Sequence, residues 1–308
     1  MAEAIEITPE ELRKIQLLQV KILKEIDSIC RKHNIKYTLC GGSMLGAIRH
    51  KGFIPWDDDI DISMLREEYE KFLLVCKEEL NSEVYFLQTM ETDLEYRLLY
   101  SRVLLKGTSF VRAGQEHIKA QNGIFVDIFP RDGQSDNRVI AFIQSRLAYL
   151  ARKILYSPVG ALRSKSLIGR MAFKVLRCFG RGTAEKIIKI VCKLNFNKET
   201  EIVKCWGLMS NGERRRLEMG KRGYKKYCRE IKTLPKEKLK ARKERNRGLK
   251  RRFFTDIIEV PFEDMMVMIT SEYDIWLRYN YDDYMQLPPK EKQKIHQTVS
   301  SYSLGNYV

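Results

Sequence analysis

Residues 37–64 read YTLCGGSMLGAIRHKGFIPWDDDIDISM, and the fold turns on how this stretch divides. Tyr37 to Cys40 has the composition of a short strand. Gly41 and Gly42 are expected to break it, and Ser43 to cap a helix from Met44 to His50. Lys51 and Gly52 turn the chain. Ile60-Asp61-Ile62-Ser63-Met64 then alternates apolar and polar residues, the period of a half-buried strand. Strand, glycine turn, helix and second strand within 28 residues predict an α/β core.

Asp57, Asp58, Asp59 and Asp61 fall together in this stretch. Carboxylates this close repel one another unless a cation or a basic group neutralises them. On a strand, residues two apart face the same way. Asp59 and Asp61 therefore point to one side, about 7 Å apart, while Ile60 and Ile62 point to the core. Both can reach one metal ion. Mg²⁺ usually takes one or two carboxylates, waters and phosphate oxygens of a substrate. The competing reading is a solvated acidic turn. Asp57 and Asp58 precede the strand and are not assigned as ligands. A strand, a glycine turn and a helix start offer backbone N–H groups and a positive dipole end to a phosphate. Taken alone, Gly41-Gly42-Ser43 is also compatible with an ordinary strand-to-helix turn. Together with the aspartates it implies Mg²⁺ held against a nucleoside diphosphate compound.

Upstream, Thr8-Pro9-Glu10-Glu11 is a helix start, with Thr8 as cap, Pro9 at the first position and Glu11 closing a capping box. Leu12, Ile15, Leu18, Ile22, Ile26 and Ile29 follow at helical spacing, and Asn34 stops the run. This helix reads as a core-packing element. Downstream, Arg66 to Leu80 is an amphipathic helix with Tyr69, Phe72, Leu73 and Cys76 on its apolar face. Val84–Thr89 and Arg97–Leu105 read as strands, with Arg97 and Arg102 on opposite phases of the pleat: one of them could reach the acidic site, solvated edge charges being the default. Gly123 to Pro130 is an apolar run with one acid in it, Asp127. A lone aspartate in such a run needs a partner or a cation. Either it is a third carboxylate beside Asp59 and Asp61, serving as metal ligand or general base, or backbone N–H groups or an arginine satisfy it. Phe253–Val260 reads as a strand, Ser271–Tyr279 as a helix, and Lys290–Thr298 as a short helix carrying His296. The tail after Ser300 carries no clear signal.

The charge is unevenly placed. The chain carries a net charge of +16, yet residues 131–252 hold 35 Lys/Arg against 10 Asp/Glu while the flanking parts are acidic. Such asymmetry points to an anionic partner surface. From Ser135 to about Lys193 the pattern is helical and basic. It suits an anionic membrane surface and equally a helical subdomain packed on the core with its cations outward. Glu213 to Arg252 is richer still in Lys and Arg but lacks the regular aromatics of single-strand binders, so nucleic acid is not the expected partner. No apolar run approaches the roughly 18–20 residues of a spanning helix. The acidic start runs straight into a helix, unlike a signal peptide. The 7 cysteines are scattered with no C-x-x-C pair, which argues against zinc and for a reducing, cytoplasmic setting.

Three segments carry a family resemblance: GGSMLGAIRHKGFIPWDDDIDI at Gly41–Ile62, FVDIFPRDG at Phe125–Gly133, and the late DDYMQLPP with His296 behind it. In these the chain resembles the LicD family, which includes fukutin and the fukutin-related protein. The resemblance implies a nucleotidyltransferase-like α/β (α+β) fold: a mixed sheet flanked by helices, with a basic, mostly helical insertion. It implies residues 1–34 as an N-terminal helix, 35–133 as catalytic core, 134–252 as the insertion and 253–308 as the part completing the core. It implies an enzyme that moves a phospho-alcohol, commonly phosphocholine from CDP-choline, onto a glycan hydroxyl with release of CMP. Asp59 and Asp61 would be ligands of Mg²⁺ or Mn²⁺, with Asp127 as third carboxylate. Gly41, Gly42 and Ser43 would cradle phosphate, and Arg49 and Lys51 would lie near the donor diphosphate. The acceptor would be lipid-linked and the enzyme peripheral at the cytoplasmic face of an anionic membrane. Nucleotide transfer to RNA or a small alcohol, and a non-catalytic scaffold for anionic surfaces, are the competing readings. Arg131 stands where an apolar residue often follows the Phe-Pro pair of this family.

Overall fold

The computed structural model describes residues 5–164, 166–194, 199–209, 248–295 and 298–307, with isolated positions between 219 and 229. Much of the basic stretch Glu213–Arg252, Pro235 and His296 lie outside the described residues. The chain folds as a mixed α/β structure.

The first helix, α1 (Pro9–Lys32), starts as the sequence predicts. Thr8 caps it, and Glu11 returns the bond to complete the capping box. Its apolar face, with Ile15, Ile22, Leu23 and Ile26 fully buried, covers the central sheet. The chain then enters β1 (Thr38–Leu39), α2 (Gly41–His50), β2 (Ile60–Leu65), α3 (Arg66–Glu79), β3 (Tyr85–Gln88), β4 (Ser101–Leu105), β5 (Ser109–Arg112) and β6 (Phe125–Gly133). The main sheet runs β1-β2-β6-β4-β3. Strand β6 is its axis. It pairs in parallel with β2 along one side, from Ile60↔Val126 to Leu65↔Arg131. On the other side it pairs antiparallel with β4. Its far end carries two more short strands, β7 (Ile202–Lys204) and β8 (Leu249–Lys250).

Between these lie α4 (Arg138–Arg163), α5 (Leu167–Arg177) and α6 (Gly180–Lys193), which pack on one another through small separate clusters around Ala151, Ile154, Ala184 and Val191. The C-terminal part adds the hairpin β9 (Ile257–Phe262) and β10 (Met265–Thr270), then α7 (Tyr273–Tyr281) and β11 (Val299–Ser303). Strand β10 is tied to β1 by Thr270 N–H donating to Thr38 Oγ1 at 3.0 Å.

Several sequence expectations need correction. Helix α2 begins at Gly41, not Met44, and its cap is Cys40 without a side-chain bond. Gly41 takes φ +59°, a left-handed turn that swings the chain out of β1 directly into the helix. Ser43 is thus inside the first turn, with its hydroxyl free for another task. Phe253 and Phe254 sit in a 3₁₀ turn (Arg251–Phe254), wedged against Trp276 at ring distances of 5.6 and 5.5 Å, and the strand starts only at Ile257. Lys290 to Lys292 makes a single 3₁₀ turn, because Pro289 before it (φ −52°, ψ 148°) and Gln293 after it (φ −83°, ψ 72°) both leave the helical region. The tail is not featureless: β11 pairs antiparallel with β5.

Candidate active site

The parallel register of β2 and β6 sets Asp61 directly beside Asp127. The antiparallel register of β6 and β4 sets Asp127 directly beside Arg102. Adjacent strands lie about 4.8 Å apart, and register partners share a face of the sheet. Three charged side chains from three strands therefore stand in one row. Arg102 donates to Asp127 through Nε at 2.5 Å and through Nη2 at 3.3 Å. Both side chains are well shielded, 13% and 4% exposed. Arg102 is not an edge charge, since β4 lies between β6 and β3. Arg97 falls before the strand and pairs with Glu95. Burial works against the Arg102 charge, but Asp127 and the neighbouring Tyr100 and Tyr96 outweigh it and raise its pKa.

The start of α2 locks Asp61 from both sides. Cys40 N–H donates to Asp61 O, and Asp61 N–H donates to Ser43 Oγ, each at 2.9 Å. The two glycines allow carboxylates to crowd the helix start. A Cβ on Gly41 would lie 3.3 Å from Asp61 Oδ2, and one on Gly42 would collide with Asp57 Oδ2. Gly41, Gly42 and Ser43 thus meet Asp57 and Asp61 at the positive end of α2.

The acidic loop is held by α1. Gln16 Nε2 donates to Asp57 O and Gln19 Nε2 to Asp58 O, both at 2.9 Å. Both glutamines are buried. Helix α1 therefore does more than pack: it fixes the backbone of the loop carrying the carboxylates. Asp57, Asp58 and Asp59 each offer an oxygen within 4.8 Å of the others.

Asp59, Asp61 and Asp127 line a cavity of about 540 Å³, with Tyr100, Arg112, Phe129 and Arg163 around them. That volume falls in the range of small-molecule sites. Burial first, then repulsion from Asp59, Asp127 and Asp57, pushes Asp61 well above the ordinary carboxylate range, with Arg112 opposing. Asp57 is pushed the same way by burial, Asp59 and Asp58. A cluster with this excess of negative charge suits a divalent cation, and the all-oxygen donor set fits Mg²⁺ or Mn²⁺.

Arg49 and Lys51 lie elsewhere. Both are at the far end of α2, a helix whose ten residues span about 15 Å. The Arg49 guanidinium donates to Tyr284 O at 2.8 Å and Gln286 O at 3.4 Å. Lys51 is exposed, and neither residue lines the cavity. The cations that do line it are Arg112, from β5, and Arg163, from the last turn of α4. Arg163 Nη1 donates to Ala113 O at 2.9 Å, which ties the basic helices to the site. Sequence reasoning passed over Arg112, Arg163, Gln16 and Gln19. Only the glutamines left a signal: two amides beside the apolar stripe of α1.

Arg131 shares the face of the carboxylates, farther along β6. Its Nε and Nη2 donate to Ser63 Oγ at 3.0 and 2.8 Å, and its guanidinium lies over Phe254. An arginine is accommodated there because the hydroxyl and the ring both receive it. Six cysteines among the described residues are free thiols.

Comparison with known proteins follows the same outline. Residues 34–158 match the family model described as LicD/FKTN/FKRP, nucleotidyltransferase domain. The chain is 29% identical over 302 residues, 95% of its length and 98% of the relative's, to the lipopolysaccharide cholinephosphotransferase LicD of Haemophilus influenzae. Shorter matches are to an uncharacterized protein of Rickettsia typhi, 32% identical over 95 residues (30% of this chain, 26% of the relative), and to one of Rickettsia prowazekii, 34% identical over 70 residues (21% and 26%).

Proposed function

The chain belongs to the LicD family through its residues 34–158, and on that premise we propose that it is a metal-dependent phosphotransferase. It moves phosphocholine from CDP-choline onto a glycan hydroxyl and releases CMP. The observation that carries this reading is the register that stands Asp61 and Asp127 side by side, in one cavity with Asp59 and two arginines. The name of the Haemophilus relative, a lipopolysaccharide cholinephosphotransferase, supports the choice of donor head group and acceptor class.

In this proposal Asp59 and Asp61 hold Mg²⁺ or Mn²⁺, with Asp127 as the third carboxylate. The bound ion supplies charge neutralisation for the donor diphosphate and for the departing phosphate. The remaining work falls to the chain's own groups. Arg112 and Arg163 take the donor's phosphate oxygens, near which the family resemblance implied Arg49 and Lys51. Gly41, Gly42 and Ser43 let Asp57 and Asp61 approach the helix start and hold Asp61 in place. Arg102 aims Asp127 at the cavity. The acceptor oxygen attacks the phosphorus that bears the choline ester, and a new P–O bond forms. The bond to the bridging oxygen breaks, and CMP leaves carrying that oxygen. The hydroxyl proton passes to Asp127 and then to solvent.

The proposal keeps the four-part division of the chain, with residues 134–252 as an insertion in the catalytic core. It also places the enzyme at the cytoplasmic face of a membrane, on a lipid-linked glycan. No described helix is long and apolar enough to cross one.

The test is direct. Purified protein with Mg²⁺, CDP-choline and a lipopolysaccharide acceptor should release CMP and label the acceptor in equal amounts. Pyrophosphate release from CTP, with no CMP from CDP-choline, would overturn the reading in favour of nucleotidyl transfer.

A further inference from the structure

Helix α5 buries none of its residues, yet it is strongly amphipathic. Around its axis the side chains sort into three sectors. Gly169, Phe173 and Leu176 turn inward: Phe173 lies against Gly160 and Tyr156 of α4, and Leu176 joins the cluster around Ala151 and Ile154. Arg170, Lys174 and Arg177 form a basic sector. Ile168, Met171 and Val175, spaced i, i+3, i+7, form a third sector that is apolar and open to solvent. Ile168 is 82% exposed and Leu167 73%. The apolar face of this helix is therefore wider than the part the protein covers. Scattered surface leucines need no explanation, but a contiguous uncovered stripe does.

The charge around it says what covers it. Residues 138–193 carry 13 Lys/Arg and one acid, Glu185. An uncovered apolar stripe flanked by cations is the pattern of a helix lying in a lipid headgroup layer, with its apolar side at the acyl boundary. An anionic bilayer complements both sectors at once, headgroups the cations and acyl chains the stripe.

We propose that α5 is the membrane-docking element of this protein and lies in the headgroup layer of an anionic bilayer with Ile168, Met171 and Val175 facing the acyl chains. This deepens the proposed function, since it rests on a lipid-linked acceptor being the substrate of the same site. The chain fixes how docking serves that site. Arg163 lines the cavity, and Leu167 follows it by four residues. Four residues span at most about 14 Å. The headgroup layer on each side of a bilayer is about 5–7 Å deep. Docking through α5 thus brings the cavity edge near the surface where the first sugars of a lipid-linked glycan emerge. A soluble acceptor needs no such docking.

The test uses the full chain. Flotation is measured with vesicles of phosphatidylglycerol and phosphatidylcholine, and with phosphatidylcholine alone. Wild type should float with the anionic vesicles, and the double variant Ile168→Asp/Met171→Asp should lose about tenfold or more of that partition, with an unchanged circular dichroism spectrum. In the variant Met171→Trp, the new indole should be quenched by brominated acyl chains. The double variant should keep its turnover on a water-soluble acceptor. Wild type that ignores anionic vesicles, a double variant that floats like wild type, or an indole that brominated lipid leaves unquenched would overturn the proposal. So would a wild-type dimer that the double variant dissolves, because a second copy would then cover the stripe. Failure of CMP release with vesicle binding intact would refute the proposed reaction and leave the docking surface standing.

Discussion

Replacing Arg102 by Met isolates the ion pair that aims Asp127. Methionine keeps an unbranched stem of similar length over the Phe125 ring, where the guanidinium now stacks at 4.1 Å. What it removes is the two-bond contact to Asp127, at a site where both side chains are largely withdrawn from water. Removing one partner of a buried pair costs about 3–5 kcal/mol, because the other charge is left uncompensated. Here that charge also faces Asp61 across the register, so the upper half of the range applies. For a chain of this size the loss corresponds to a fall in Tm of roughly 6–8 °C. Urea unfolding of R102M against wild type measures it. The double variant R102M/D127L should recover most of the stability, since an apolar pair of similar volume replaces a buried ion pair at little cost. It should recover none of the activity. An R102M loss below about 1 kcal/mol would refute the reasoning, as such a value belongs to exposed pairs.

Three further outcomes follow from the same geometry. Gly42→Ala places a methyl on the Asp57 carboxylate and should cost about 1–3 kcal/mol together with most of the turnover, read by urea unfolding and CMP release. Arg112→Ala and Arg163→Ala should each raise the donor KM, whereas Lys51→Asn should leave it within about twofold, measured by steady-state kinetics. The third concerns pH. Asp61 is raised above its ordinary value, so the fold favours its neutral form. Its contribution to stability is then complete below the usual carboxylate pKa and lost as pH climbs through the raised value. The Tm of metal-free wild type relative to Asp61→Asn should therefore fall from about pH 4 upward, and Mg²⁺ should restore it. An unchanged pH slope in Asp61→Asn would contradict this.

Local signals were legible in the chain, and long-range ones were not. The α1 capping box, the strand at Ile60 to Met64 and the apolar run around Asp127 each depend on neighbours within a few residues, and each formed as expected, though Ser63 is buried with its apolar neighbours and the strand is not half-exposed. The meeting of Asp61 with Asp127 was suggested only by chemistry: two unpaired acids, both on strands. Their register depends on β2 and β6 pairing across some sixty residues. Which of Arg97 and Arg102 reaches the acidic site, if either does, depends on strand order, which a sequence does not display; in the sheet β4 is interior and Arg102 is the one. Ser43 has the composition of a cap, but Gly41's left-handed turn moved the helix start, and the hydroxyl went to Asp61. Arg49 and Lys51 are near the acidic loop in sequence, yet α2 carries them away from it. Arg163 arrives at the cavity from the end of a 26-residue helix, which no local pattern announces.

The most direct measurement is Mn²⁺ binding and CMP release followed together in wild type, Asp59→Asn and Asp61→Asn. Wild type should bind Mn²⁺ in the presence of CMP and turn over CDP-choline. Each variant should fold, lose the ion and lose turnover by about a hundredfold or more. Near-normal CMP release from either variant at saturating Mg²⁺ would contradict the assignment of these carboxylates to the metal.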